Sequence, residues 1–376
     1  MQCATPSPGR WSNQHDPMSG DRGQHLTLVV PGLFGPATAS ADQREESARQ
    51  ICEGLSLPAL EHFLSRCTAV PCQDPEPGLA ALLFGCFGVA REGPDWPVAA
   101  VTGRFDGAGE DAGWWLRADP VHLRVDLGEL VLVDSDQLRI STAEARALVA
   151  ELNGQLDDPG VRLEALADKR WYLRSAQAPR LATHAAWEVS GSRVGEYLPM
   201  GEDAGHWRAR INDVQMILHA SPVNRARERR GEPVINSLWL WGGGYIPRVP
   251  TACWQGVWSD STLVTGLAAL AGVTSDALPE DGQAWLALAG SAGNYLLVSS
   301  TAYVPVRCSD VEAWRNFVST LETRWMVPLL EGLRSGQLQS LSLRASADRA
   351  FILRRGQLRH WWRRTRPFAH TMCLSR

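Results

Sequence analysis

The chain has 376 residues, 44% hydrophobic and 21% charged, enough apolar side chain to bury one large core or two ordinary ones, which excludes fibrous, collagen-like and disordered classes. A formal net charge of −4 argues against a globally electrostatic binder of nucleic acid or membrane. No stretch approaches the roughly 18 uninterrupted apolar residues of a membrane span, the greasiest run being Ser261 to Val273.

The polar start, Met1 to Gln24, reads as a disordered leader without a secretory core. Leu26 to Val30, closed by Pro31-Gly32, is predicted as a strand buried on both faces. Helices are predicted over 44–53, over 57–64 with Pro58 in the first turn, and over 79–87. A Gly- and Asp-rich boundary lies at 101–113. After it come a strand over 127–133, a helix from Ser141 to Leu152 opened by a Ser141/Glu144 capping box, and strands over 161–166 and 170–173. Leu238 to Gly244 reads as a buried strand running into a glycine loop. A helix over 262–272, a strand over 294–300, a long amphipathic helix from Asp310 to Leu333 and strands over 339–343 and 350–353 complete the chain. The alternation implies an α/β sheet interrupted by an inserted α+β domain. The expected division is 25–100 with 236–366 as the core, 101–235 as the insert, and 367–376 as a tail.

The eight cysteines, Cys3, Cys52, Cys67, Cys72, Cys86, Cys253, Cys308 and Cys373, form no C-x-x-C pair and no regular ladder. Neither a zinc site nor a disulfide framework is indicated, and reduced thiols in a cytoplasm are the expectation.

One stretch carries a family resemblance. His219 to Arg227, followed by Gly231, Pro233, Asn236 and Leu238 to Gly244, is similar to the "PVN-x-x-R-x-x-x-G … WLWG-x-G" signature of archaeal-type, cofactor-independent phosphoglycerate mutases. Leu57–Arg66, Gly78–Gly88 and Arg117–Asn153 resemble further family segments in the same order. The chain also resembles the bacterial proteins labelled RpfE-type regulatory proteins. The resemblance implies an alkaline-phosphatase-like sheet sandwiched by helices, two divalent metals, manganese or zinc, in Asp/His clusters at strand ends, and a serine that accepts the phosphoryl group.

At the positions the resemblance assigns to that chemistry, the sequence lacks it. Pro31 stands where the first metal-ligating Asp belongs, Glu76-Pro77-Gly78 where the nucleophile belongs, and Tyr295 to Cys308 holds neither Asp nor His. The last strand continues as Ser346-Ala347-Asp348-Arg349, one aspartate without a histidine. The expectation is therefore a non-catalytic scaffold with no metal or other cofactor. Pro31, Gly32, Gly242, Gly243 and Gly244 would line the former site. The alternative is a metalloenzyme, mutase or phosphatase-like, that rebuilds its site from Asp260, Asp310, Asp348 or His360.

Asn224, Arg225, Arg227 and Arg117 are candidates for an anion pocket, since guanidinium forks and an amide suit phosphate or carboxylate; the competing reading is a helix cap with solvated arginines. Trp239 and Trp241, two apart on a strand, share a face and read as core. His122, His184, His206 and His219 are scattered singly, as structural histidines are. The arginine-rich run 344–366, with Trp361-Trp362, could serve as an interaction module; nucleic acid is disfavoured as its partner by the net charge. A phosphorylated small molecule or a protein is the expected partner of a binding or regulatory role.

Overall fold

The computed structural model describes residues 23–36, 44–72, 76–109, 113–126, 128–156, 160–251, 253–290, 292–359 and 363–374. Its strands, in chain order, are β1 (Gln24–Val29), β2 (Thr68–Pro71), β3 (Trp114–Asp126), β4 (Glu129–Val133), β5 (Val161–Ala165), β6 (Trp171–Ser175), β7 (Ser237–Gly244), β8 (Trp254–Ser259), β9 (Ser275–Asp276), β10 (Gly293–Val298), β11 (Leu338–Arg344) and β12 (Arg349–Arg354). The fold is mixed α/β and divides into two compact units. One runs to Ala90 and resumes at Val249; the other is Arg91–Arg248.

The first unit is a seven-stranded sheet in the order β2-β12-β11-β1-β10-β8-β9. β11, β1, β10, β8 and β9 run parallel, and β12 and β2 extend the edge antiparallel. β1 lies between β11 and β10, pairing Val29 with Arg344 and Val298. That central position explains its apolar run, because a strand with helices over both faces has no solvated side. Residues 1–22 of the expected leader lie outside the described residues, and Gln24 is already the first residue of β1.

The helix Pro58–Arg66 buries Ala59, Leu60 and Phe63, and has Leu57 at its N-cap without a side-chain cap. Its free amides are met from a distance in sequence: Glu322, 3% exposed, accepts from Ala59 N and from Leu60 N at 2.6 and 2.9 Å. The long helix predicted from Asp310 does not run uniformly. Val311–Leu321 passes through a π-helical turn, Glu322–Met326, into Val327–Ser335. Glu322 opens that turn, so the irregularity coincides with the carboxylate that caps the neighbouring helix. Phe368–Leu374, within the expected tail, is a helix whose Phe368 is buried and stacks on Trp314 at 6.4 Å.

The second unit is a five-stranded sheet, β4-β3-β6-β5 with β7 also paired to β3. The unit boundaries therefore fall at 90/91 and 248/249, outside the expected 101–235. Two elements account for the difference: β7 pairs with β3 from Ser237↔Val121 to Gly244↔Trp115, and Val98–Phe105, within or beside the expected Gly/Asp-rich boundary, is a buried helix against the same sheet. The Ser141/Glu144 capping box forms as expected at the start of Thr142–Gln155. Ser141 N donates to Glu144 Oε2 at 3.0 Å, and Glu144 N to Ser141 Oγ at 3.3 Å.

Candidate functional site

In the first unit, β1 and β11 end side by side, with Val30 N donating to Arg344 O at 2.8 Å. Beyond these C-terminal strand ends opens a cavity of about 390 Å3, lined by Pro31, Gly32, residues 76–79, Leu82, Tyr303 and residues 345–348. Parallel α/β sheets place ligand sites at this edge, because the loops leaving adjacent strands diverge there. The four stretches that the resemblance assigns to the metal ligands and the nucleophile thus meet at one cavity.

Among the groups they bring, Glu76 and Asp348 are carboxylates and Tyr303 and Ser346 carry hydroxyls, while the rest are apolar or glycine. Pro31 has no donor atom. Gly32 has φ +85°, and a Cβ there would stand 3.0 Å from Ala302 O, so the turn itself requires glycine. Asp348 accepts from Ser346 Oγ, and from Arg349 Nε at 2.9 Å. Burial raises its carboxyl, but Ser346 and Arg349 outweigh that and hold it below the usual range. Asp260, after β8, accepts from Ser300 N at 2.9 and 3.0 Å and from Thr301 Oγ1 at 3.2 Å. Asp310 caps the helix that follows it, accepting from Ala313 N at 2.9 Å. His360 lies outside the described residues. Among the described residues no three His, Cys, Asp or Glu side chains are placed to hold a metal ion, so this donor set does not fit a two-metal centre.

The second unit holds the expected anion-binding residues, and it uses most of them internally. Arg117 and Asp119, 6% and 3% exposed, form a bidentate pair with Nε–Oδ1 2.9 Å and Nη2–Oδ2 2.8 Å. The guanidinium lies 5.2 Å from the Tyr172 ring centroid and 4.9 Å from that of Trp241, and Trp241 Nε1 donates to Asp119 at 2.8 Å. Burial pushes the Asp119 carboxyl up against the pull of Arg117. Asn224 donates to Leu218 O and Ile235 O and accepts from Ile235 N, tying the helix Pro222–Arg229 to the strand that follows. Arg227 is fully buried, donating to Pro233 O and Leu138 O and facing Glu144 Oε2 at 3.2 Å. Of this helix's three candidates only Arg225 is exposed. Ser221, not Asn224, is the cap, accepting from Val223 N.

Gly242, Gly243 and Gly244 are strand residues and not a loop beyond the strand. A Cβ on Gly243 would fall 2.4 Å from the Trp114 ring, and one on Gly244 2.6 Å from Pro97. The triple glycine is a surface for close packing. Gly242 N is occupied by Thr183 Oγ1 at 3.1 Å. Trp239 and Trp241 are buried, as core tryptophans are. Pro31 and Gly32 belong to the first unit, the three glycines to the second.

In the arginine-rich run, Arg354, Arg355, Arg359, Arg363, Arg364 and Arg366 are exposed, while Arg344 is buried. Trp361 and Trp362 lie outside the described residues. Arg363 Nη1 donates to the carbonyls of Arg66 and Cys67, both at 3.2 Å. Of the four single histidines, His122 Nδ1 lies 2.9 Å from Val234 O, and His184 packs edge-on to Tyr197.

Sequence reading missed Glu322, Asp119 and Tyr303. Asp119, two residues from Arg117 on one strand, carried a usable signal, since alternate residues share a face. Glu322 carried none, because its partners Ala59 and Leu60 are remote in sequence; Tyr303 lies in the Tyr295 to Cys308 stretch, where the resemblance directs attention to Asp and His alone.

The fold and the strand-edge cavity define a mixed α/β protein with a central sheet flanked by helices. Residues 107–224, all within the second unit, match the family model of 2,3-bisphosphoglycerate-independent phosphoglycerate mutase. The chain is 26% identical over 231 residues to the protein of that name from Methanosarcina acetivorans, covering 58% of this chain and 56% of that one. It is 32% identical over 166 residues to a probable one from Geobacter sulfurreducens, covering 41% and 40%. The match spans about half the length of these curated relatives. The solved PH0037 protein from Pyrococcus horikoshii shares the fold, with TM-score 0.52 and 13% identity over 89% of this chain and 87% of that one. The chain is thus related to the cofactor-independent phosphoglycerate mutases. No helix among the described residues is long and apolar enough to cross a membrane.

Proposed function

We propose that the chain is a non-catalytic relative of cofactor-independent phosphoglycerate mutase, acting in the cytoplasm as a binding or regulatory protein of the RpfE-type branch. The cavity at the ends of β1 and β11 carries this reading. It brings together the four stretches where the chemistry would sit, and apart from proline, glycine, alanine and leucine they supply Glu76, the Tyr303 and Ser346 hydroxyls, and Asp348, which is already bound to Ser346 and Arg349. Phosphoryl transfer needs charge neutralisation at that spot, and a lining with no histidine, no cationic side chain and two carboxylates falls short of the ligand set that two metal ions require. A protein partner is better supported than a phosphorylated metabolite, because Arg117, Asn224 and Arg227 direct their donors into their own unit.

The test is metal analysis and turnover on the full chain, purified without a metal-binding tag and then supplied with Mn2+ or Zn2+. Substoichiometric metal, no phosphoglycerate isomerisation and no phosphate-ester hydrolysis above the blank are expected. One or more bound ions per chain together with turnover would overturn the proposal and restore the relocated metal site.

A further inference from the structure

The end of β11 carries a second cluster that this function does not use. Arg344, 8% exposed, points its guanidinium between two sulfurs, with Nη2 3.7 Å from Cys72 Sγ and Nη1 3.9 Å from Cys86 Sγ. Cys86 is buried, Cys72 half-buried, and a third thiol, the exposed Cys253, is close enough to act on Cys86. Burial pushes the Cys86 thiol up, and Arg344 opposes that shift. A neutral thiol is a feeble acceptor for a charged N–H, whereas a sulfur anion is a strong one. A guanidinium with both Nη groups on sulfur therefore favours the form in which a cysteine attacks.

The cluster is also joined to the cavity wall. Cys72 N donates to Asp348 O at 2.6 Å, Cys86 closes the helix Leu79–Gly85, and Ala345 follows Arg344 directly. The segment between the two cysteines contributes residues 76–79 and Leu82 to the cavity.

We propose that Cys72 and Cys86 are an oxidant-sensitive thiol pair organised by Arg344, and that the oxidant is a hydroperoxide. The Cys72 sulfur attacks the terminal peroxide oxygen. An S–O bond forms, the O–O bond breaks, and the leaving alkoxide or hydroxide takes up a proton as alcohol or water. Sulfur loses two electrons to the peroxide and becomes a sulfenic acid. The Cys86 sulfur then attacks the sulfenic sulfur. An S–S bond forms, the S–O bond breaks, and the departing hydroxide leaves as water with the Cys86 proton. The disulfide ties together the two ends of the segment that walls the cavity.

The full chain tests this directly. Cleavage after arginine places Cys67, Cys72 and Cys86 in one peptide, 67–91, and mild-acid cleavage of the Asp74–Pro75 bond separates Cys72 from Cys86. After reduction, brief hydrogen peroxide treatment and alkylation of remaining thiols, the expected product is 67–74, alkylated at Cys67, disulfide-linked to 75–91. In the reduced protein, Cys72 should alkylate about tenfold faster than in Arg344→Leu, with Arg344→Lys restoring most of that rate. Circular dichroism identifies a variant that has failed to fold, and in that case the wild-type rate of Cys72 against the exposed Cys308 decides. A link from Cys72 to Cys253, no link at all, or a Cys72 rate no faster than that of Cys308 overturns the proposal.

Discussion

The two units differ in what they offer a ligand. The first has a cavity at the right edge of a parallel sheet, but its lining is mostly apolar or glycine and holds no histidine or cationic side chain. The second is rich in guanidinium, amide and carboxylate groups, but Arg117, Asn224 and Arg227 are buried and satisfied by their own unit. A site needs both an opening and donors left over after folding. A retained motif such as that around Asn224 and Arg227 can persist because it holds the unit together, since a buried polar group must find its partners somewhere.

That contrast predicts a hierarchy of substitution effects. The largest belongs to Arg227→Met, which leaves the carbonyls of buried Leu138 and of Pro233 without their guanidinium donor and takes one of its partners from Glu144. Urea unfolding should show a loss of about 3–5 kcal/mol, and a loss below about 1 kcal/mol would mean that the arginine is not structural. Gly243→Ala comes next, at about 1–3 kcal/mol, because the new Cβ meets the Trp114 ring. An unchanged melting temperature would show that β7 and Trp114 are not packed as described. In the first unit, Glu322→Ala uncaps the helix Pro58–Arg66 and should cost about 1–2 kcal/mol by the same measurement.

Glu144 gives a pH test. Burial raises its carboxyl, but the Ser141 backbone and hydroxyl, with Arg227, hold it below the ordinary value. A carboxyl lowered on folding stabilises above its unfolded value and loses that contribution as pH falls through the folded one. The difference in urea midpoint between wild type and Glu144→Gln should therefore be present at neutral pH and shrink under acid. A gap that widens on acidification would reverse the sign and refute the assignment. The smallest effect is expected at the cavity, where Ala347→Ser should stay within about 0.5 kcal/mol of wild type. A large loss there would show that the lining is packed and not open.

What the sequence determined by itself is what neighbours along the chain decide. The apolar run of β1, Pro58 in a first turn and the Ser141/Glu144 capping box each rest on residues within a few positions of one another, and each formed. That Pro31 brings no side-chain ligand was legible too, since its ring carries no donor atom in any fold. Tertiary structure alone decided the rest, because it turned on partners tens or hundreds of residues away. Only folding paired β7 with β3 and so moved three glycines from a loop into a packed strand. Only folding set Glu322 under the amides of Ala59 and Leu60, turned Arg227 inward beside Arg225 facing out, and placed Arg344 between two cysteines.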